Sequence, residues 1–354
     1  MITSYITIIR RFFTFEIILH SVYKQGIGRK RIEMIAESWA KQKEIKNIML
    51  FLQEHQVSAS YAAKIFKQYG NDSIPVMKEN PYKLADDIWG IGFKTADQIA
   101  MKLGFAKESF LRLRSGLMYT LSELSNDGHV YAEKQQLIEK GSELLEASPE
   151  TVVMTMDEML KKNELIMEKE IIRLDDNGTR IDPIYLPPFF FAEVGVAAKL
   201  KKLVSTPAGD KLYTKLMDAR QLTGNENLSV EISAIEKYTG MQYDEIQADA
   251  IRRAATAKVM VLTGGPGTGK TTTTHGIISA FKAYGLKILL AAPTGRAAKR
   301  MTEATGMEAK TIHRLLECKP PEGYQRNEEK PLEGDVLILD ECSMIDIILM
   351  NSLL

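Results

Sequence analysis

The chain has 354 residues, 45% apolar and 26% charged, with a formal net charge of zero. That is room for two or three globular domains, and it excludes a disordered, collagen-like or globally basic chain, so any nucleic-acid surface must be local. Its two cysteines, Cys318 and Cys342, form no CxxC pair and sit near no paired histidines, which argues against structural zinc and fits a reducing, cytoplasmic location.

Residues 1–22 are apolar but broken by Arg10, Arg11, Glu16 and His20. The uncharged runs are too short to span a membrane. The arginines follow the first apolar run, against the order of a signal peptide. The segment is left unassigned, with a non-native start as one reading.

Residues 23–110 read as helices punctuated by Gly-x-Gly. In Leu84–Ala100 a helix, the turn Gly90-Ile91-Gly92 and a second helix place Ile88, Ile91, Ala96 and Ile99 where two short helices would pack. Such a turn leaves backbone N–H groups free to hold a DNA phosphate without reading a base. Gly90, Gly92 and Lys94 are the contact residues it offers. Gln25–Ile32, with Gly26 and Gly28, reads as a second copy, and Gln56–Tyr69 as a weaker third without the Gly-x-Gly. A slight surplus of Lys and Arg across 23–110 is compatible with backbone contacts. The plainer alternative is a structural array of helical hairpins, since such motifs also serve as scaffolds.

Residues 111–204 continue as helices with strands at 165–174 and 180–186, joined by the turn signal Asp175-Asp176-Asn177-Gly178. Together they predict a small winged-helix-like connecting unit. Residues 205–229, with Ser205–Asp210 and a polar run at 222–228, read as a linker. Over 230–354, strands at 258–263, 287–292 and 336–339 alternate with helices. That alternation predicts an α/β domain with a parallel sheet and its chemistry at the strand C-termini.

The most specific signal lies in this last region. Gly264, Gly265, Pro266, Gly267, Thr268, Gly269, Lys270 and Thr271 spell G-x-x-x-x-G-K-[ST], and Thr272 follows in the same turn. The backbone of such a loop curls so that successive N–H groups point at phosphate oxygens, and the next helix adds a partial positive charge. Lys270 reaches the β- and γ-phosphates and the Thr271 hydroxyl ligates Mg²⁺, so ATP and Mg²⁺ are the expected cofactors. The apolar stretch 336–339 ends in Asp340 and Glu341. Asp340 is expected to hold Mg²⁺ through water, and Glu341 to act as general base. Gln247, upstream of the loop, carries an amide that can offer one donor and one acceptor to an adenine edge. A lone Gln on a helix is otherwise simply solvated.

Two further stretches follow in order: Ala291–Met301, containing Pro293-Thr294-Gly295-Arg296, and Thr311-Ile312-His313. With the loop before them and Asp340-Glu341 behind, they resemble a superfamily 1 helicase of the RecD-like branch, which moves 5′ to 3′ on single-stranded DNA. The hairpins, then Asn80-Pro81-Tyr82, Gly128–Tyr131, Ile184–Pro187 and Glu193, resemble the long bacterial form that works outside the RecBCD complex. The resemblance covers about residues 23–354. It implies a RecA-like P-loop NTPase domain preceded by a mostly α-helical helix-hairpin-helix domain. It puts Gln247 on an adenine-reading motif, and Thr294, Gly295, Arg296, Thr311 and His313 on the face that binds the single strand. The residues alone agree at 294–296, where a hydroxyl and a helix N-terminus can take a DNA phosphate. Arg296, Lys299 and Arg300 read otherwise as a solvated basic face, and His313 as a core or capping histidine.

The implied function is an ATP-dependent 5′–3′ DNA helicase in repair or recombination. Its implied partners are single-stranded DNA and junctions with a 5′ tail, bound by a cytoplasmic monomer with no membrane contact. The chain departs from the family pattern by stopping at Leu354, before a second motor domain and its arginine finger. The expectation is therefore an N-terminal fragment unable to unwind by itself. Two other classes stay open: a non-motor P-loop DNA-repair ATPase, and a DNA-binding fragment without catalysis.

Overall fold

The structure, a computed structural model, describes residues 29–168, 173–174, 178, 180–205, 232–265 and 267–354. The segment 1–22, the hairpin candidate carrying Gly26 and Gly28, the turn residues 175–177, the predicted linker after Ser205 and Pro266 lie outside the described residues. The chain divides into two compact units. One comprises residues up to Glu123 with Ala132–Ile184; the other comprises Leu124–Tyr131 with Tyr185–Leu354.

The first unit is built on helical hairpins. The helix Arg29–Glu54 buries Ile48, Phe51 and Leu52, spaced i, i+3, i+4 on one face. Gln56, at φ 55, reverses the chain, and the short helix Ala62–Tyr69 returns with Ala62 and Ile65 buried against the first. The weaker hairpin candidate is thus a helix-turn-helix whose left-handed position is filled by Gln rather than Gly. The helices Lys83–Asp87 and Phe93–Lys102 form the stronger one, and Ile88, Ile91, Ala96 and Ile99 are all buried, as their spacing predicts.

A second core joins that hairpin to the helices that follow: Tyr82, Phe93, Ala96 and Ala100 pack with Leu113 and Leu145. At its edge lies an ion pair. Arg112 is 5% exposed and grips Asp97 with two nitrogens, at 2.8 and 3.1 Å, while donating to the carbonyls of Lys107 and Leu145. Tyr82 donates its hydroxyl to the same carboxylate at 2.8 Å, and burial followed by that bond pushes its ionisation far up. The helices Phe110–Asn126, Lys134–Leu145 and Pro149–Lys161 come next, the last capped by Ser148 with Pro at its first turn. A three-stranded sheet orders Ala132–Glu133, Pro183–Tyr185 and Ile166–Met167, and Arg173–Leu174 pairs antiparallel with Arg180–Ile181.

The second unit carries the parallel sheet. Its order is Val336–Leu339, Ile288–Ala292, Ala309–Thr311, with both pairings parallel. Both faces are covered, as a parallel sheet demands. Ile288 and Leu290 pack with Ile235, Ile251, Ile277, Ile278 and Phe281, whereas Ala291 packs with Ile312, Leu316, Leu349 and Leu353. The helix Pro187–Ser205 belongs to this unit. Lys199 Nζ donates to the Asn351 carbonyl at 2.6 Å, and Gly195 leaves the room that the Asn351 side chain occupies.

One expected strand is absent. Residues 258–263 form no strand, and Val261 is 84% exposed. A strand exists only where its N–H and C=O groups meet a neighbour's. Among the described strands, Val336–Leu339 pairs with Ile288–Ala292 alone, and none runs beside 258–263. The apolar run states a preference that pairing has not met.

The Arg112–Asp97 pair gives a test of the first unit. Arg112→Ala leaves the partly buried Asp97 carboxylate with only the Tyr82 hydroxyl and is expected to cost about 1–3 kcal/mol, seen as a lower urea midpoint for the first unfolding transition. An unchanged midpoint would mean that the pair does not tie the hairpin to the Phe110–Asn126 helix.

Candidate functional site

The loop at 264–271 is shaped by two left-handed glycines, Gly267 at φ 76 and Gly269 at φ 77. Gly269 caps the 14-residue helix Lys270–Ala283. The N–H groups of Gly267, Thr268, Gly269, Lys270, Thr271 and Thr272 make no hydrogen bond among the described residues. Lys270 Nζ folds back on the loop, donating to the carbonyls of Gly264 at 2.6 Å and Gly265 at 2.8 Å. The Thr268 hydroxyl also donates to Gly265 O, at 2.9 Å. Free donors at a helix N-terminus beside an ammonium suit a polyphosphate. Binding one exchanges two carbonyl partners of Lys270 for phosphate oxygens.

Gln247 supports this loop from the helix Glu245–Thr256. Its side chain and that of Asp244 form a reciprocal capping box, with Gln247 N to Asp244 Oδ1 at 2.8 Å and Asp244 N to Gln247 Oε1 at 3.3 Å. The amide nitrogen then donates to Thr268 O at 3.4 Å. A Cβ on Gly269 would collide with that same nitrogen. Gln247 therefore serves the loop directly, which its place in the sequence alone does not reveal.

The acids sit at the C-terminal edge of the sheet. Asp340 N donates to Ala291 O at 3.0 Å, continuing the ladder by one rung, and Asp340 Oδ1 accepts the Glu341 N–H at 2.9 Å. Glu341 is held at φ 53, a left-handed conformation uncommon for a residue with a side chain. Arg300 Nη2 lies 3.6 Å from its carboxylate. Arg300 was read from the sequence only as part of a basic face. The neighbouring Cys342 is held as a thiol, pushed up by burial and then by the Asp340 charge. Among the described residues no three His, Cys, Asp or Glu side chains gather to cage a metal. A hard-oxygen set of one carboxylate and the exposed Thr271 hydroxyl suits Mg²⁺ shared with phosphates.

The predicted DNA residues of this unit leave the same edge. Thr294 follows Ala292, and Thr311 ends the strand Ala309–Thr311. Both are N-caps: Thr294 Oγ1 accepts from Ala297 N and Thr311 Oγ1 from Arg314 N, each at 3.2 Å. Each hydroxyl keeps its proton to donate. Gly295 and Arg296 are exposed, and neither their N–H groups nor the Arg296 guanidinium has a partner among the described residues. His313 is exposed and lines an open groove of about 290 Å³ with Arg314, Glu317, Cys318 and Lys319. Glu317 adds little repulsion there. Its carboxylate is bound by Arg326, at 2.7–2.8 Å, and by Lys330, which hold its ionisation below the usual carboxylate range.

In the first unit, Gly90 at φ 85 makes the hairpin turn, Gly92 caps the Phe93–Lys102 helix, and Lys94 is exposed on its first turn. The ammonium of Lys64 lies 3.0 Å from where a Gly90 Cβ would stand. Lys64 comes from the preceding hairpin, so only folding brings it to the turn.

A Gly-Lys-Thr loop opening a helix beside a parallel sheet, with an Asp-Glu pair at the sheet's C-terminal edge, defines a P-loop NTPase domain. A family model described as an AAA domain matches residues 247–354, and one described as the ATP-dependent RecD2 DNA helicase HHH domain matches residues 41–131. The ATP-dependent RecD2 DNA helicase of Deinococcus radiodurans is 30% identical over 334 residues, 93% of this chain and 44% of that protein. The RecBCD enzyme subunit RecD of Mycobacterium tuberculosis is 37% identical over 134 residues, 31% of this chain and 23% of that one. These matches make the chain similar to the RecD-like helicases that carry an N-terminal helix-hairpin-helix domain. It spans less than half the length of these relatives. The matched hairpin region begins at residue 41, after the candidate at Gly26 and Gly28.

Gly269→Ala tests the loop geometry. It sets a Cβ at positive φ and against Gln247, and is expected to weaken binding of a fluorescent ATP analogue by at least roughly tenfold, about 1.4 kcal/mol. Unchanged affinity with unchanged circular dichroism would show that the loop tolerates another path.

Proposed function

We propose that the chain is the DNA-engaging and nucleotide-binding part of an ATP-dependent helicase that moves 5′ to 3′ on single-stranded DNA. Gln247, Gly264–Thr272 and Lys270 hold the nucleotide. Thr271 and Asp340 hold Mg²⁺, which when bound neutralises phosphate charge. Glu341 takes the proton of the attacking water. Thr294–Arg296, Thr311 and His313 grip the backbone of one strand, with the hairpin at Gly90–Lys94 as a separate DNA contact.

One observation carries this reading. The helix Gly295–Thr305 bears the exposed Gly295 and Arg296 at its N-terminus and, further along, Arg300, whose guanidinium lies 3.6 Å from the Glu341 carboxylate. A strand gripped at one end of this helix is thereby linked to the carboxylate that activates water. That is the coupling a DNA-stimulated motor needs; the 5′ to 3′ direction and the 5′-tailed substrates rest on the resemblance of the motifs alone. A monomer and a place in repair or recombination complete the reading, and both rest on the family resemblance. No helix among the described residues is long and apolar enough to cross a membrane.

The test uses the full-length protein on duplexes with a 5′ or a 3′ tail. Displacement of the 5′-tailed strand alone is expected. Lys270→Ala should lose nucleotide binding and unwinding together. Glu341→Gln should keep nucleotide binding while hydrolysis falls by roughly 10²–10⁴. Unwinding of 3′ tails alone reverses the polarity, and DNA-stimulated hydrolysis without any displacement replaces the motor with a non-motor ATPase.

A further inference from the structure

We propose that Trp89 is a stacking platform for an unpaired nucleobase, so that the hairpin turn grips single-stranded DNA by base and phosphate together. The proposal rests on the reading of this hairpin as a DNA contact, and it adds a residue and a substrate preference to it.

Trp89 is 95% exposed, the most exposed of the large apolar side chains among the described residues. Its neighbours explain why it is held outward. Ile88 and Ile91 are buried on either side, and Ile91 N donates to Ile88 O at 3.0 Å, closing a four-residue turn. Gly90 at φ 85 occupies the position of that turn that requires positive φ, and Trp89 occupies the one before it. The indole therefore stands at the tip of a turn anchored at both ends. It does not belong to a frayed loop.

The surroundings of the indole are cationic and polar. The Lys64 ammonium lies beside Gly90, and Lys94 is exposed one turn into the next helix; neither makes an ion pair among the described residues. The nearby acids are engaged elsewhere. Asp87 accepts from the Tyr69 hydroxyl at 2.8 Å, Asp86 lies 3.9 Å from Arg114, and Asp97 is held by Arg112 and Tyr82. The N–H groups of Gly90, Gly92 and Lys94 have no acceptor among the described residues. An apolar protein partner would want more apolar surface around the ring than two glycines and two lysines supply. A nucleotide matches all of it: a flat base for the indole face, and a phosphate for the lysines and free N–H groups. Stacking needs a base whose face is open, which a continuous duplex withholds, so the turn favours single strands and junctions over blunt duplex.

The chain's two tryptophans, Trp39 and Trp89, make a direct test available. In full-length protein carrying Trp39→Phe and no other tryptophan outside this chain, Trp89 emission should be that of a water-exposed indole. It should be quenched by oligothymidylate and not by a blunt duplex. Trp89→Ala should weaken oligothymidylate binding by roughly 5- to 150-fold and leave duplex binding unchanged, and Trp89→Tyr should recover part of the loss. Single-strand binding that is neither quenching nor weakened by Trp89→Ala overturns the stacking while sparing the DNA reading. Blue-shifted emission without DNA also overturns it, because the indole would then be covered by protein. Failure to bind either DNA overturns both.

Discussion

The parallel pairing of Ile288–Ala292 with Val336–Leu339 is the constraint on which the second unit depends. Its register sets Leu339 against Ala291, and Asp340 extends the ladder to the Ala291 carbonyl. The chain past Ala292 and the acids past Leu339 must then leave the same edge, and Ala309–Thr311, paired on the other side, brings Thr311 to it as well. A one-residue slip would reverse every side chain between the two covered faces. Because Ile288 and Leu290 serve one core and Ala291 the other, the register is held by both at once.

The phosphate loop depends on a different kind of support. Its glycines at 267 and 269 take backbone conformations that side chains resist, and its N–H donors meet no acceptor among the described residues. Such a loop needs a rigid wall. Gln247 supplies it, fixed by its own capping box and bonded to the Thr268 carbonyl. The same bonds engage both ends of the Gln247 amide, its oxygen with Asp244 N and its nitrogen with Thr268 O.

The first unit solves a simpler problem with helices. Short helices too small to be stable alone are held by shared cores, and the Arg112–Asp97–Tyr82 cluster closes the seam between two of them. Of the acids of this region, Asp97 is paired with Arg112 and Asp86 lies 3.9 Å from Arg114, while the exposed Asp87 accepts the Tyr69 hydroxyl and keeps its charge.

Much of this was legible in the residues. The burial of Ile88, Ile91, Ala96 and Ile99 followed from helical spacing, and the strand at 336–339 from its apolar run before two acids. The loop Gly264–Thr271 was readable because its chemistry is local: glycine conformations, a lysine and a hydroxyl within one turn. What the residues could not tell was anything that depends on a neighbour distant in sequence. The stretch 258–263 has the composition of a strand and no partner strand among the described residues. Gln247 meets Thr268, Arg300 meets Glu341, and Lys64 meets Gly90 only after folding. The sequence by itself determined which short segments carry chemistry, since local backbone preference and side-chain type decide that. Only the tertiary structure decided which of them stand together and which side chains stay free, because pairing, register and the matching of charges are properties of contact.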